Sequence, residues 1–229
     1  CSIVIKPASE TPLSAFAMAV LAERAGVPAG VLNIVAGSSS AIGGELTSNP
    51  VVRKLTFTGS TPLCKMLQAQ CADTVKKTSM ELGGNAPFIV FDDADIDAAV
   101  EGAIISKYRN SGQTCVCSNR LLVQDGVYDS FVTKLIAATR ELTVGDGFAD
   151  NVKIGPLVNA GAADDVDALV QASVQAGAKI AMGGGKHVLG GCFYQPTILT
   201  EVTRDMAVFR NEIFGPVAPI VRFHTEAEA

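Results

Sequence analysis

Short apolar runs alternate with amphipathic segments along the first third of the chain. The runs have the length of strands, and the segments between them carry apolar residues at helical spacing. Strand–helix–strand order favours parallel pairing with right-handed crossovers, and therefore an α/β fold. The predicted strands are 2–6, 31–35 and 54–57, and the predicted helices are 11–25, a short helix ending at Leu46 and a third opening at 58–60.

Polar residues and glycines follow each of these strands. Ligands of an open parallel sheet bind at the carboxyl ends of its strands, which here means Lys6, Gly37 and the Gly59–Ser60 turn. Gly37 permits close backbone approach, and Ser60 at a helix N-terminus could donate to a phosphate. Because the G-x-G-x-x-G pattern is absent, the alternative that these glycines only form turns stays open.

An acidic residue ends the next apolar stretch. Strands are predicted at 75–82 and 86–91, with Gly83 and Gly84 between them. Burial of Glu81 beside these glycines would strengthen it as a base and suit it to proton transfer. The alternative is a carboxylate in solvent at a strand end.

Two thiols lie in the polar loop 109–117, between a predicted helix and a predicted strand at 121–123. The acidic run 92–95 caps that helix. A partly exposed Cys115 in such a loop can ionise and attack an electrophile. The alternative is that Cys115 and Cys117 are small, half-buried side chains.

The last third predicts helices at 128–142 and around Val166–Val174, and strands at 179–182 and 197–199. An acid and an aromatic residue then precede a Gly-Pro turn at 211–216. Taken alone, this stretch is more typical of a solvated loop.

Composition limits the classes of function. The 229 residues carry a formal net charge of −5 without a basic stripe, which argues against a nucleic-acid surface. Apolar segments end well before membrane-spanning length and no signal-peptide pattern opens the chain, so we expect a soluble protein. Six cysteines without a C-x-x-C pair predict no zinc site and reduced thiols. Reduced thiols and the lack of a signal-peptide pattern favour a cytoplasmic location, and the mitochondrial matrix is the alternative.

Five motifs together resemble the NAD(P)-dependent aldehyde dehydrogenase superfamily. Their order and separations match that family across essentially the whole chain, and the run 109–117 is most similar to its succinate-semialdehyde dehydrogenase branch. The resemblance implies the second half of a Rossmann-like parallel-sheet cofactor domain in 1–80, followed by an α/β catalytic domain in 81–229. The motifs are Lys6-Pro7, Phe57-Thr58-Gly59-Ser60-Thr61, Glu81-Leu82-Gly83-Gly84-Asn85, Gly112-Gln113-Thr114-Cys115 and Glu212-Ile213-Phe214-Gly215-Pro216.

The patterns at the two ends of the sequence predict that it is an internal segment of a longer protein. Residues 2–6 begin directly in a strand, and 225–229 have the form of a helix start. The resemblance implies an additional N-terminal portion, a C-terminal Gly-rich motif and a strand used in oligomerisation. It therefore implies a homo-oligomer, dimer or tetramer, of the full-length protein.

The resemblance also implies a mechanism. Cys115 would attack the aldehyde carbon, its backbone N–H would help hold the oxyanion, and Glu81 would activate the water that hydrolyses the thioester. The family completes the oxyanion hole with an Asn upstream of this segment, so the resemblance implies that catalysis needs residues of the longer protein.

Cofactor choice follows from charge. Many NAD-using members have Glu where this chain has Ser9, so Ser9 near Lys6 predicts a preference for NADP, with NAD as the alternative. Glu212 would hold the nicotinamide ribose, and Phe214 would pack near the nicotinamide. The other implied cofactor contacts are Gly37, Gly59, Ser60 and Leu82.

The expected substrate is succinate semialdehyde, the aldehyde of GABA degradation, with Arg109 gripping its distal carboxylate. Arg109 could instead complement the helix C-terminus. Cys117 is a candidate redox partner that would block Cys115 as a disulfide, or a spectator. The alternatives are another carboxylated or small aldehyde such as glutarate semialdehyde, a non-catalytic nucleotide-binding fragment, and a thiol-based redox sensor.

Overall fold

The computed structural model describes residues 1–229, and the chain forms two compact units, 1–82 and 83–229. Each unit has its own strands and helices and is described separately. The functional division predicted from the sequence, 1–80 for the cofactor and 81–229 for the chemistry, stays a prediction.

Unit 1 contains two pairs of parallel strands with helices between them. β1 pairs in parallel with β2, as predicted, whereas β3 pairs in parallel with β4 and not with β1 or β2. The small core of the unit joins Leu55 and Leu67 with Cys71. Its elements are β1 (Ile3–Ile5), α1 (Leu13–Arg24), β2 (Leu32–Ile34), α2 (Ser39–Ser48), β3 (Lys54–Thr58), α3 (Thr61–Ala72) and β4 (Lys77–Glu81).

Helix α1 forms where the apolar spacing predicts it, but it buries no residue. Leu13 is 77% exposed and Leu21 is 61% exposed. Apolar periodicity therefore predicts the helix correctly here, although within these 229 residues most of its large apolar side chains stay exposed.

Unit 2 contains a five-stranded sheet in the order β5-β6-β9-β8-β7. All its neighbouring strands are parallel except β7 and β8. A 3-10 turn at Arg109–Gly112 follows α4, and another at Glu226–Glu228 occupies the end where a helix start was expected. The other elements are β5 (Ala86–Val90), α4 (Ile96–Tyr108), β6 (Ser118–Gln124), α5 (Asp125–Arg140), α6 (Ala160–Gln175), β7 (Lys179–Met182), β8 (Thr197–Thr200), α7 (Ala207–Arg210) and β9 (Val217–Phe223).

Strand β9 is the middle strand of this sheet, and the sequence analysis did not identify it. Six of its seven residues are buried, and Arg222 is the exception. It contains Pro219, which has no N–H and is usually confined to edge strands. The continuous apolar run Val217–Val221 is a signal for a buried strand, but Pro219 weakens that signal.

The core of unit 2 lies on both faces of the sheet. One cluster joins α4 and α5 to Leu121 and Ile220, and the other joins α6 and α7 to Leu199 and Val221. Strand β9 contributes to both clusters and is therefore fixed from both sides. The carboxylate of Asp95 caps α4 by accepting from the N–H groups of Asp97 and Ala98, as the acidic run predicted.

Candidate active site

Lys6 lies in a small polar cradle in unit 1. Its Nζ donates to Ser39 Oγ at 2.7 Å and to Ser9 Oγ at 3.4 Å. A cavity of about 180 Å³ is lined by residues that include Lys6, Ser9 and Gly37, so three of the predicted cofactor residues meet. A cation with two hydroxyls at a helix start suits an anionic group such as a phosphate.

Ser39 is a member of this cradle that the sequence analysis missed. It is the first residue of α2, and it shares the amine of Lys6 with Ser9 although Lys6 and Ser39 are 33 positions apart. Its place at a helix start after a parallel strand was the available signal.

The Gly59–Ser60 turn joins β3 to α3. Gly59 N–H donates to Glu81 O at 3.0 Å, and a Cβ on Gly59 would lie 2.6 Å from the Phe57 ring. The Ser60 hydroxyl is exposed and makes no capping bond. Neither residue lines the Lys6 cavity.

Glu81 ends β4 and Leu82 follows it, and both residues are exposed. The burial expected for Glu81 is therefore wrong within this chain, and its carboxylate corresponds to the solvated alternative. The reason is that Glu81 is the last residue of β4, in a sheet of only two strands.

The thiol loop of unit 2, residues 109–117, follows α4 with three residues in the left-handed region. Asn110, Ser111 and Gly112 have φ of 52°, 58° and 74°. Ser111 Oγ donates to Gly155 O at 3.0 Å, and Gln113 Oε1 accepts from Val158 N at 2.8 Å. Left-handed backbone at non-glycine residues is strained and persists when surrounding contacts hold it. These bonds supply that support.

The two thiols of this loop have opposite environments. Cys115 is exposed, whereas Cys117 is buried, and all six cysteines are free. Cys117 Sγ donates to Gly112 O at 3.4 Å. The half-buried alternative is therefore wrong for Cys115. A disulfide between the two would need Cys117 to leave its buried position, and the redox role stays a prediction.

Lys107 is a buried cation that the sequence analysis missed. It is 0% exposed, and its Nζ lies 4.0 Å from Cys117 Sγ. Burial lowers the pKa of Lys107, while the nearby Cys117 and Glu212 act in the opposite direction. Lys107 lies four residues after buried Ala103 on α4, so a lysine at a core-facing helical position was the signal.

Glu212 and Phe214 lie in a segment that touches the thiol loop. Glu212 is half-buried, and Phe214 is 44% exposed with φ of 55°. A Cβ on Gly112 would lie 2.1 Å from Gly215 O, so the two segments approach as closely as a glycine allows. The structure thus brings the predicted nucleophile loop and the predicted ribose ligand together.

Arg109 opens the 3-10 turn of the thiol loop and is exposed. Its guanidinium makes no hydrogen bond or ion pair with the rest of the chain. The alternative that it complements the end of α4 has no hydrogen bond in its support. An unpaired guanidinium six positions before Cys115 is available to a carboxylate.

Two other features bear on the class of site. No group of three or more His, Cys, Asp or Glu side chains is arranged to hold a metal ion. None of the helices combines the length and the apolar character needed to cross a bilayer.

Comparison with known proteins defines the class. The aldehyde dehydrogenase family profile matches residues 1–229, so the chain belongs to that family and the predicted family and fold class are confirmed. The chain is 60% identical to a glutarate-semialdehyde dehydrogenase of Pseudomonas aeruginosa. It is 58% identical to the NADP(+) succinate-semialdehyde dehydrogenase GabD of Escherichia coli.

A solved structure gives the same picture. The chain is similar to the crystal structure of succinate-semialdehyde dehydrogenase from Burkholderia pseudomallei, with a TM-score of 0.98 and 58% identity. Each of the three alignments covers 100% of this chain and 47% of the length of the relative. The chain therefore spans about half the length of these relatives.

The lowered pKa of Lys107 leads to a prediction about stability. Between that lowered value and 10.5 the unfolded chain binds more protons than the folded chain, so the free energy of unfolding rises with pH there. Lys107→Met removes this contribution. We expect the melting temperature of the variant to rise less than that of the native protein as the pH increases toward 10.5.

The control for this prediction is Lys65→Met, which removes an exposed lysine of α3. Its melting profile should follow that of the native protein. Parallel profiles for Lys107→Met and the native protein would show that Lys107 is normally protonated in the folded state.

Proposed function

We propose that the full-length protein oxidises an aldehyde that carries a distal carboxylate, with succinate semialdehyde as the substrate and NADP as the hydride acceptor. The observation that carries the proposal is the exposed thiol of Cys115 in a strained loop that also carries the unpaired guanidinium of Arg109. The names of the relatives from Escherichia coli and Burkholderia pseudomallei support the same substrate.

The proposed reaction begins at Cys115. Its thiolate attacks the aldehyde carbon, and the charge moves to the aldehyde oxygen. The backbone N–H of Cys115 donates no hydrogen bond within the chain, so it is free to donate to that oxygen. When bound, the nicotinamide supplies the hydride acceptor, and the enzyme is left as a thioester on Cys115.

Glu81 is the proposed base for the second half of the reaction. Its carboxylate would take a proton from the water that attacks the thioester, which releases the carboxylic acid and restores the thiol. Only two histidines, His187 and His224, are present in the chain, and neither lies in the thiol loop or in one of the five motifs. An exposed carboxylate is accessible to such a water.

Glutarate semialdehyde is the second candidate substrate. The Pseudomonas aeruginosa relative named for that substrate is 60% identical to this chain. The two substrates differ by one methylene, for which pockets discriminate by only about 10- to 200-fold. Arg109 would bind the distal carboxylate of either.

The proposal for NADP rests on the Lys6 cradle. Lys6 and the hydroxyls of Ser9 and Ser39 offer donors, and Ser9 places no carboxylate beside them. A 2′-phosphate would meet a cation there and no like charge from Ser9. We further propose Glu212 as the ligand of the nicotinamide ribose and Phe214 as its packing neighbour, with Gly37, Gly59, Ser60 and Leu82 as additional cofactor contacts.

Assembly and compartment are proposed from chemistry and from relatives. We expect a homo-oligomer, dimer or tetramer, because aldehyde dehydrogenases are commonly oligomeric. Free thiols fit a reducing compartment. That compartment would be the cytoplasm, or the mitochondrial matrix as in the mitochondrial relative of Arabidopsis thaliana.

Removal of the nucleophile tests the reaction. In the full-length protein, Cys115→Ala should abolish NADPH formation from succinate semialdehyde, with a loss of at least about 10³-fold, because no other group can form the thioester. Cys1→Ala, which removes another exposed thiol, should leave the rate unchanged. NADPH formation that persists in Cys115→Ala would refute the proposed mechanism, and a native protein that binds nucleotide without turnover would support the non-catalytic alternative.

Substrate choice is tested at Arg109. Arg109→Ala should raise KM for succinate semialdehyde by about 10- to 100-fold, because a charge-assisted hydrogen bond is lost. KM for butanal, which has the same chain length and no carboxylate, should not change. Arg140→Ala at the exposed end of α5 is the matched control. An equal effect on both aldehydes would rule out carboxylate recognition by Arg109.

Cofactor choice is tested at Ser9. Ser9→Glu introduces a negative charge beside the proposed 2′-phosphate position and should raise KM for NADP by about tenfold or more, while KM for NAD changes little. Ser14→Glu places the same charge on the exposed surface of α1 and should change neither value. A native preference for NAD would contradict the argument from Ser9.

A further inference from the structure

A buried asparagine holds the backbone on both sides of Glu212. Asn119 is 1% exposed and lies near the start of β6. Its Nδ2 donates to Asn211 O at 2.8 Å, and its Oδ1 accepts from Ile213 N at 3.1 Å. The side-chain amide therefore pairs with the residues before and after Glu212 in the way that a backbone peptide of a neighbouring strand would.

Asn85 extends this contact to the preceding helix. Asn119 Nδ2 also donates to Asn85 Oδ1 at 2.6 Å, and Asn85 Nδ2 donates to Phe209 O at 3.0 Å. The two amides thus bind three backbone groups in the segment 209–213. Phe209 O, Asn211 O and Ile213 N–H each have an amide partner, so loss of the Asn119 side chain would leave two of these backbone groups unpaired.

Asn119 is also close in sequence to the two thiols. Asn119 follows Cys115 by four residues and lies two residues after buried Cys117. The same amide is therefore attached to the thiol loop through the backbone and to Glu212 through hydrogen bonds. Catalytic groups need to be held to within fractions of an ångström by their supporting contacts.

We infer that Asn119, supported by Asn85, is a positioning residue that fixes Glu212 relative to the thiol loop. It touches neither the aldehyde nor the cofactor in this role, which rests on the proposed function for the part played by Glu212. Loss of the amide should loosen the segment 209–215 in the free protein and weaken binding of NADP, because Glu212 then samples other positions. Binding of the aldehyde should be unaffected.

The first test measures anchoring without any ligand. Hydrogen–deuterium exchange of the full-length protein should be faster across 209–215 in Asn119→Ala than in the native protein, by about tenfold or more, because the Ile213 N–H loses its acceptor. Asn159→Ala removes a comparable amide bond at the start of α6 and should leave 209–215 unchanged. Unchanged exchange there in Asn119→Ala would overturn the inference.

The second test measures coupling to Glu212. Asn119→Ala and Glu212→Gln should each raise the calorimetric Kd for NADP by about tenfold, and the double variant should be no weaker than the weaker single variant, since both act through one contact. Additive effects would overturn the inference. Because binding is measured directly, a protein that binds NADP but oxidises no semialdehyde would refute the proposed function alone.

A milder variant covers the case in which Asn119→Ala does not fold. Asn85→Ala removes the bonds to Phe209 O and to one Asn119 N–H but leaves both bonds that flank Glu212. It should accelerate exchange at 209–211 more than at 213. Uniform acceleration over the whole of unit 2 would show a purely structural role and overturn the inference.

Discussion

Parallel pairing of β6 with β9 is the constraint on which the thiol-bearing part of the candidate site depends. The two strands are in register from Leu121 and Ile220 onward. Because they run in the same direction, the segments before them emerge at one edge of the sheet. One segment carries Cys115 and the other carries Glu212, and the contact between Gly112 and Gly215 shows how closely they approach.

The same edge collects the buried polar groups of unit 2. Asn85 precedes β5, which is also parallel to β6. The side chain of Asn119 makes the hydrogen bonds to Asn211 and Ile213. Lys107 is buried there with a sulfur as its nearest partner. Burial of polar groups costs free energy unless they are bonded, and proteins accept such costs mainly at functional sites. The amide of Asn119 is bonded on both sides of Glu212, which offsets the cost of its burial.

The two units present their candidate residues at opposite ends of their strands. In unit 1, Lys6 and Gly37 follow parallel strands, as the general rule for open parallel sheets predicts. In unit 2, Cys115 and Glu212 precede strands, so that rule does not locate them. Within the thiol loop the sulfur of Cys115 is exposed, and the sulfur of Cys117 is buried and donates to Gly112 O. Identical side chains two positions apart thereby acquire different accessibility.

The sequence by itself determined the alternation of strands and helices, the family and the order of its motifs, because periodicity and motif spacing are local properties of the chain. It did not determine the central strand β9, where Pro219 obscures an apolar run, or the exposure of Glu81, which depends on what covers a strand end. Only the tertiary structure decided that Lys107 faces Cys117 and that Asn119 pairs around Glu212. These contacts join residues 10 and 92 to 94 positions apart, and only packing of the sheet and helices brings such residues together.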